Sequence, residues 1–409
     1  MFKKIAAIIF IYFCTVIAWV FLGSTMHFRS TNQDVKLKGA VRQLWGSSQK
    51  QTAPEFYYFT ERIEKVEKKE GDKIIQESRA VREKNGLAIH KSDINVKIDL
   101  EHRRKGLLWY STYKVDFKGT YTILNEKDTA RETYVVFSFP NVGAVYDNFE
   151  FAIAGQPVEE IEILGGQISQ KFLVPPGGSE EISISYSSQG LDEWWYLFGE
   201  DVSQVKNFKL DMETNFKKID FPQDSISPTI KKEEVSGWKL TWQYTSMLSG
   251  VQIGMKLPQK LNPGPWVGKV TLWAWVSLFL FFFLVFIISI VKEIKIHPMH
   301  YLFIAMAYFS FHLLLAYLVD HISIHLAFAI SAVVSIFLVI SYMRIIVGAK
   351  NAFLAIGLSQ FVYLILFSYT FFFEKFTGLA ITILCIVTLF IVMQITARIN
   401  WEEMFSKKG

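Results

Sequence analysis

The chain has 409 residues, half of them hydrophobic, with 36 Phe and a mean hydropathy of +0.24. That length allows two or three domains, but so large an apolar excess excludes an ordinary soluble enzyme and has to sit in lipid. Residues 27–269 balance 33 Lys+Arg against 33 Asp+Glu while the rest carry 10 against 5, so the net charge of +5 belongs to the apolar part and nucleic-acid binding has no support.

Both cysteines, Cys14 and Cys385, lie inside apolar runs, which leaves no disulfide framework and no thiol metal site for the polar part. At the N-terminus, Lys3-Lys4 precede an eighteen-residue apolar run, Ile5 to Leu22. The run is long for a cleaved signal, and Gly23-Ser-Thr-Met-His27 offers no small-x-small site, so the reading is an uncleaved anchor. From Asp34 to Trp45 the spacing of Val35, Leu37, Ala40, Val41, Leu44 and Trp45 predicts a separate amphipathic helix.

Beyond Pro54 the pattern becomes strand-like. Candidates are 56–59, 94–100, 107–110, 113–117, 121–124, 134–139, 182–186, 208–212, 238–244 and 251–256. Their alternation, their β-branched and aromatic content and the bounding Gly, Pro and Asn predict short antiparallel strands. Pro175-Pro-Gly-Gly178 and Glu70-Gly-Asp72 read as turns, and the charged stretch 62–84 alternates weakly. The expected product is a sandwich or a pair of smaller sheets.

Leu261-Asn-Pro-Gly-Pro265 marks a boundary, and Trp266, Trp273 and Trp275 resemble an aromatic belt at the entry to lipid. Five spans are predicted beyond it: 270–291, 301–319, 324–346, 352–373 and 378–396. With the N-terminus in the cytoplasm, the cytoplasmic segments hold nine Lys/Arg and the two short external loops only Lys375. That asymmetry obeys the positive-inside rule, so residues 27–265 face away from the cytoplasm and both termini lie inside.

Ionisable groups at membrane depth are functional candidates because lipid makes them expensive. Here they occupy three levels: His297 and His300 at the cytoplasmic mouth, His312 at mid-span, and Asp320, His321 and His325 at the external mouth. Asp320, His321 and His325 suit a small metal or proton site, although no zinc-ligand spacing is present. The plainer alternative is that Asp320 and His321 cap a loop, with Ser323 as N-cap of the next helix. For His312 the alternatives are a proton relay and a neutral ring hydrogen-bonded to a neighbouring helix.

Ser47-Ser-Gln-Lys50 fits the S-x-x-K of penicillin-recognising serine enzymes, but S-D-N and K-T-G are missing, and Ser47 reads more simply as a turn residue. Trp194-Trp-Tyr-Leu-Phe198 is an aromatic patch that either fills a core or contacts a partner. With no phosphate loop, no H-E-x-x-H and no Cys-x-x-Cys, neither a catalytic site nor a cofactor is expected.

Several blocks resemble the CreD family of bacterial inner-membrane proteins. Trp45-Gly46, Gln49 and Pro54 are similar to its W-G-x-x-Q followed by Gly-Pro, with Ala53 where the glycine stands. Arg103-Arg-Lys-Gly106, Tyr113 and Gly119 resemble its R-x-R-G-I block, tyrosine and glycine, with Lys105 for the second arginine. His297-Pro298-Met-His-Tyr301-Leu is close to H-P-M-Q-Y-L. Leu313-Leu-Leu315 through Asp320-His321 resembles a leucine run closed by S-E-H, and Asn400-Trp401 resembles a D-W after the last span. His312 has no counterpart in that pattern. The resemblance implies a divergent member acting in envelope integrity and stress response at the cytoplasmic membrane, and it supplies a location and a process but no reaction.

The reading is therefore a membrane α-helical bundle of six transmembrane helices, arranged 1+5, with an all-β-rich, sandwich-like extracytoplasmic domain. Its parts are the anchor (1–26), the β-rich domain (27–265), the five-helix domain (266–401) and a cytoplasmic tail (402–409). The expected partners are the bilayer and envelope proteins or cell-wall components. The expected function is non-enzymatic, and the alternative is a small-molecule or proton translocator.

Overall fold

The computed structural model describes residues 2–70, 73–199, 204–248, 250–373 and 375–397. Trp401, with Arg398, Asn400 and the tail, lies outside them, as do Gly71 and Asp72 of one expected turn. The chain divides into two compact units, one of residues 1–36, 106–108 and 261–409 and one of residues 37–105 and 109–260.

Six helices are long and apolar enough to cross a membrane, one before the β-rich region and five after it. The first, α1 (Phe2–Trp45), is a single 44-residue helix. The expected break before Asp34 does not occur, because residues 23–45 contain no proline, and Gly23 and Gly39 alone do not stop a helix.

After the β-rich region come α2 (Pro263–Leu272) and α3 (Ala274–Val291). They are followed by α4 (Pro298–Leu318), α5 (Ile324–Val347), α6 (Ala349–Phe372) and α7 (Thr377–Thr396). Pro263 and Pro298 occupy first-turn positions, where a missing N–H leaves no bond unmade. The expected span from 270 is divided at Trp273, whose N–H donates back to Lys269 at 3.2 Å. Within α6 two wider turns, Ala352–Gly357 and Phe361–Leu366, alternate with regular ones. Trp19, Phe281, Tyr308, Phe311 and Leu315 form part of this unit's core, while Phe10, Phe21, Val333 and Phe337 face outward, as lipid permits.

The other unit is built of strands. In chain order they are β1 (Gln49–Thr52), β2 (Glu55–Glu70), β3 (Lys73–Leu87), β4 (Ile89–Lys105) and β5 (Leu108–Leu124). Next come β6 (Arg131–Ser138), β7 (Tyr146–Ile153), β8 (Gln156–Pro157), β9 (Ile163–Leu164) and β10 (Gln167–Val174). The last six are β11 (Ser179–Leu191), β12 (Glu193–Leu197), β13 (Val205–Thr214), β14 (Ile230–Glu233), β15 (Trp238–Met247) and β16 (Ile253–Lys256).

They make an eight-stranded sheet in the order β14-β15-β13-β4-β5-β11-β7-β8, a five-stranded sheet β3-β2-β6-β10-β9 and a three-stranded sheet β1-β12-β16. The two larger sheets share one core, in which Phe137 of β6 meets Tyr186 of β11 at 6.4 Å between ring centroids. Three expected short strands are one: Tyr113, Val115, Phe117, Gly119, Tyr121 and Ile123 keep a single period of two along β5. The weakly alternating stretch 62–84 belongs to the long β2–β3 hairpin, which pairs from Phe56↔Leu87 to Glu70↔Lys73. Not all pairing is antiparallel, since β13 runs parallel to β4 and β1 parallel to β12. The Trp194 patch resolves as core, for Trp194, Tyr196 and Phe198 are buried. Complete burial of such side chains stabilises by about 1.5–3 kcal/mol each.

Candidate functional site

The helical unit separates the polar membrane positions rather than gathering them. His297 caps α4, its Nδ1 accepting the Met299 N–H at 3.2 Å, and His300 Nδ1 lies 2.7 Å from the Tyr342 hydroxyl. His312 is fully buried against Trp19 and Phe311, with ring centroids 5.8 and 4.9 Å away, and neither of its nitrogens has a partner. The expected hydrogen bond to a neighbouring helix is therefore not made, and across from His312 the first helix presents the Trp19 ring.

At the far mouth Asp320 reaches neither His321 nor His325 but pairs with Arg29 of α1. His321 is exposed and His325 stacks on Phe372 at 4.9 Å. Ser323 is the N-cap of α5, but its side chain makes no cap bond. Among the described residues no three His, Cys, Asp or Glu side chains converge as a metal site. The polar contacts that do form are short-range links between helices: Tyr308 Oη bridges Ser277 and the Tyr363 carbonyl, each at 2.8 Å, and Gln360 donates to Ser335 at 2.9 Å.

In the β-rich unit the motif-like residues meet where α1 ends. Arg103 lies over the Trp45 ring at 3.4 Å. Gly46 has φ +85, and a Cβ there would lie 2.7 Å from the Gln189 carbonyl oxygen. Gln49 is fully buried, and its Nε2 donates to Ser188 Oγ and the Gln189 carbonyl at 2.9 and 2.7 Å. Its backbone N–H donates to Tyr113, whose hydroxyl in turn donates to the Glu193 carbonyl at 2.8 Å. Burial pushes the Tyr113 phenol well up, so it stays a neutral donor.

Pro54 is buried at the entry to β2, Gly106 takes φ +61 in the β4–β5 turn, and Gly119 leaves room for the rings of Tyr121 and Phe117. Pro298 opens α4, and the buried Tyr301 ring meets Phe282 edge-on at 5.2 Å. Such roles are structural. Ser47 is likewise engaged: its hydroxyl accepts from Asn141 at 2.8 Å, while Lys50 projects from β1 as an exposed side chain.

The feature that sequence reading missed is a cleft of about 480 Å³ on the polar face of the eight-stranded sheet. Register builds it. Asp211 stands opposite Asn95, Glu213 opposite Lys97, Ser187 opposite Asp116, and Ser185 between Lys118 and Glu150, so period-two alternation turns all of them to one face. The carboxylates are held in place. Ser187 donates to Asp116 at 2.7 Å, Ser185 to Glu150 at 3.3 Å and Thr241 to Asp211 at 2.5 Å, and Lys209 Nζ is 2.8 Å from Asp211. Burial works against ionisation of Asp211, but the bonds from Lys209 and Thr241 outweigh it and keep the carboxyl below its usual range. Hydroxyls, amides, carboxylates and lysines line the cleft, with neither histidine nor cysteine among them. Such an arrangement can hydrogen-bond a polar ligand.

Residues 242–402 match the family model described as Inner membrane protein CreD. A solved structure from Legionella pneumophila, described as that of a candidate nutrient binding protein, is similar to 58% of this chain and 76% of its own, at 10% identity and a TM-score of 0.33. No curated protein matches the sequence.

Proposed function

We propose, from the match of residues 242–402 to the inner membrane protein CreD family, that the chain is a member of that family and maintains the cell envelope by non-covalent binding through its β-rich domain. The observation that carries this reading is the cleft on the eight-stranded sheet, whose carboxylates are pre-positioned by serine, threonine and lysine partners. Pre-organised polar groups lower the entropy lost on binding. The nine Lys/Arg of the short loops and termini on one side of the spans, against only Lys375 in the two short loops on the other, support a domain outside the cytoplasm, with both termini inside. The partner class is an envelope protein or a cell-wall component.

A photo-crosslinking residue at Lys118, inside the cleft, tests this in intact cells against the same probe at Val235, an exposed position outside it. The expected result is capture of a defined envelope component from position 118 alone. Equal capture from both positions, or none from position 118, overturns the reading. A membrane-impermeant thiol reagent acting on Val142→Cys, with Cys14 and Cys385 replaced by Ala, checks the topology, and labelling only after lysis contradicts it. The translocator reading ranks below this one, because Asp320 is already paired with Arg29 and His312 is enclosed by aromatic rings.

A further inference from the structure

Within the helical unit a second cleft, of about 590 Å³, opens between the first turns of α1 and the start of α4. Its polarity is one-sided. Lys3, Lys4 and His297 contribute its basic groups, and no Asp or Glu is among the described residues that line it. The remaining wall is apolar, made by Ala7, Phe10, Ile11 and Cys14 on α1 and by Leu302 one turn into α4.

The spacing of the α1 residues explains the shape. Positions 4, 7, 11 and 14 recur every three or four residues and therefore share one helix face. At about 1.5 Å per residue that face descends roughly 15 Å from Lys4 to Cys14. One leaflet of a hydrocarbon core of about 30 Å has the same depth. The His297 ring adds direction: Nδ1 already accepts the Met299 N–H, so in the neutral ring Nε2 carries the proton and is the donor left over.

We infer that this cleft is a site for an anionic phospholipid, whose phosphate sits at Lys3, Lys4 and His297 and whose acyl chain lies along the α1 face. Charge complementarity selects the occupant. Two ammonium groups with no carboxylate between them attract a head group of net negative charge and disfavour one that presents its own amine. The site gives the His297-Pro298-Met299 segment, which the β-domain reading leaves unused, a role in lipid recognition. It is independent of what the sheet cleft binds, and either reading can fail alone.

The test is native mass spectrometry of the full chain released from vesicles of equimolar phosphatidylglycerol and phosphatidylethanolamine. The unaltered protein is expected to retain phosphatidylglycerol with a preference on the order of tenfold. The pair Lys3→Gln and Lys4→Gln should abolish the preference, Cys14→Trp should expel both lipids by filling the cleft, and Lys350→Gln should change nothing. Equal retention of the two lipids by the unaltered chain overturns the assignment without reliance on any variant's folding. So does a phosphatidylglycerol preference that survives the double lysine substitution.

Discussion

In the β-rich unit Gln49 and Gln51 are as inaccessible as any isoleucine, yet they bond to Ser188, Gln189, Thr52 and Tyr186. In the helical unit His312, Ser331 and Ser368 are equally or nearly as deep, and their side-chain polar atoms have no partner. The sheet unit has exceptions, Gln49 Oε1 and Trp194 Nε1, but its buried polar groups mostly meet. The difference lies in what each group leaves on folding. A group buried from water loses hydration and must recover it in bonds, at a penalty of about 1–3 kcal/mol when it does not. A side chain on a helix already in lipid is measured against a separated state in which it also finds partners, so a bond made between helices gains only about 0.6 kcal/mol on average and an unmade one forfeits less. Equal burial thus carries unequal energy, and polar burial in the helices is weaker evidence of function than it first looks.

Trp194→Ala should have the largest effect, because the indole is fully buried in the core of the β-rich unit. The expected loss is about 3–5 kcal/mol, read from denaturant unfolding of the full chain in detergent. Gln49→Leu comes next, at about 1–3 kcal/mol, since it removes the donor to the Ser188 hydroxyl and to the Gln189 carbonyl. His312→Leu should cost under about 1 kcal/mol or stabilise, because an unpaired ring gives way to an apolar side chain among aromatics. Equal losses for Gln49→Leu and His312→Leu would break the comparison between the units.

The smallest effect concerns pH. The Asp211 carboxyl is held below its ordinary value in the folded protein, so its contribution is present above the unfolded pKa of about 4 and disappears as pH falls through the folded value. Asp211→Asn should therefore flatten the acid limb of the stability profile without altering stability at neutral pH relative to pH 6. An unchanged acid limb would mean that the Lys209 and Thr241 contacts do not persist in solution.

The spans and the β character were legible in the sequence because hydrophobic length and two-residue alternation are local properties. For Trp194 and Tyr196 alternation left a core and a partner contact both open, and burial decided for the core. Where a local pattern was interrupted, it misled: the separate helix at 34–45 and the three pieces of β5 were fragments of longer elements whose continuity is settled by packing.

What chain order alone determined, then, is which stretches belong in lipid, which in sheets, and that His312 sits at mid-span. Only the tertiary structure decided that Asp320 finds Arg29, that Gln49 finds Ser188 and Tyr113, and that Asp116, Glu150 and Asp211 share one face. Those partners lie tens to hundreds of residues apart, and their meeting depends on strand register and helix packing, which no local periodicity encodes.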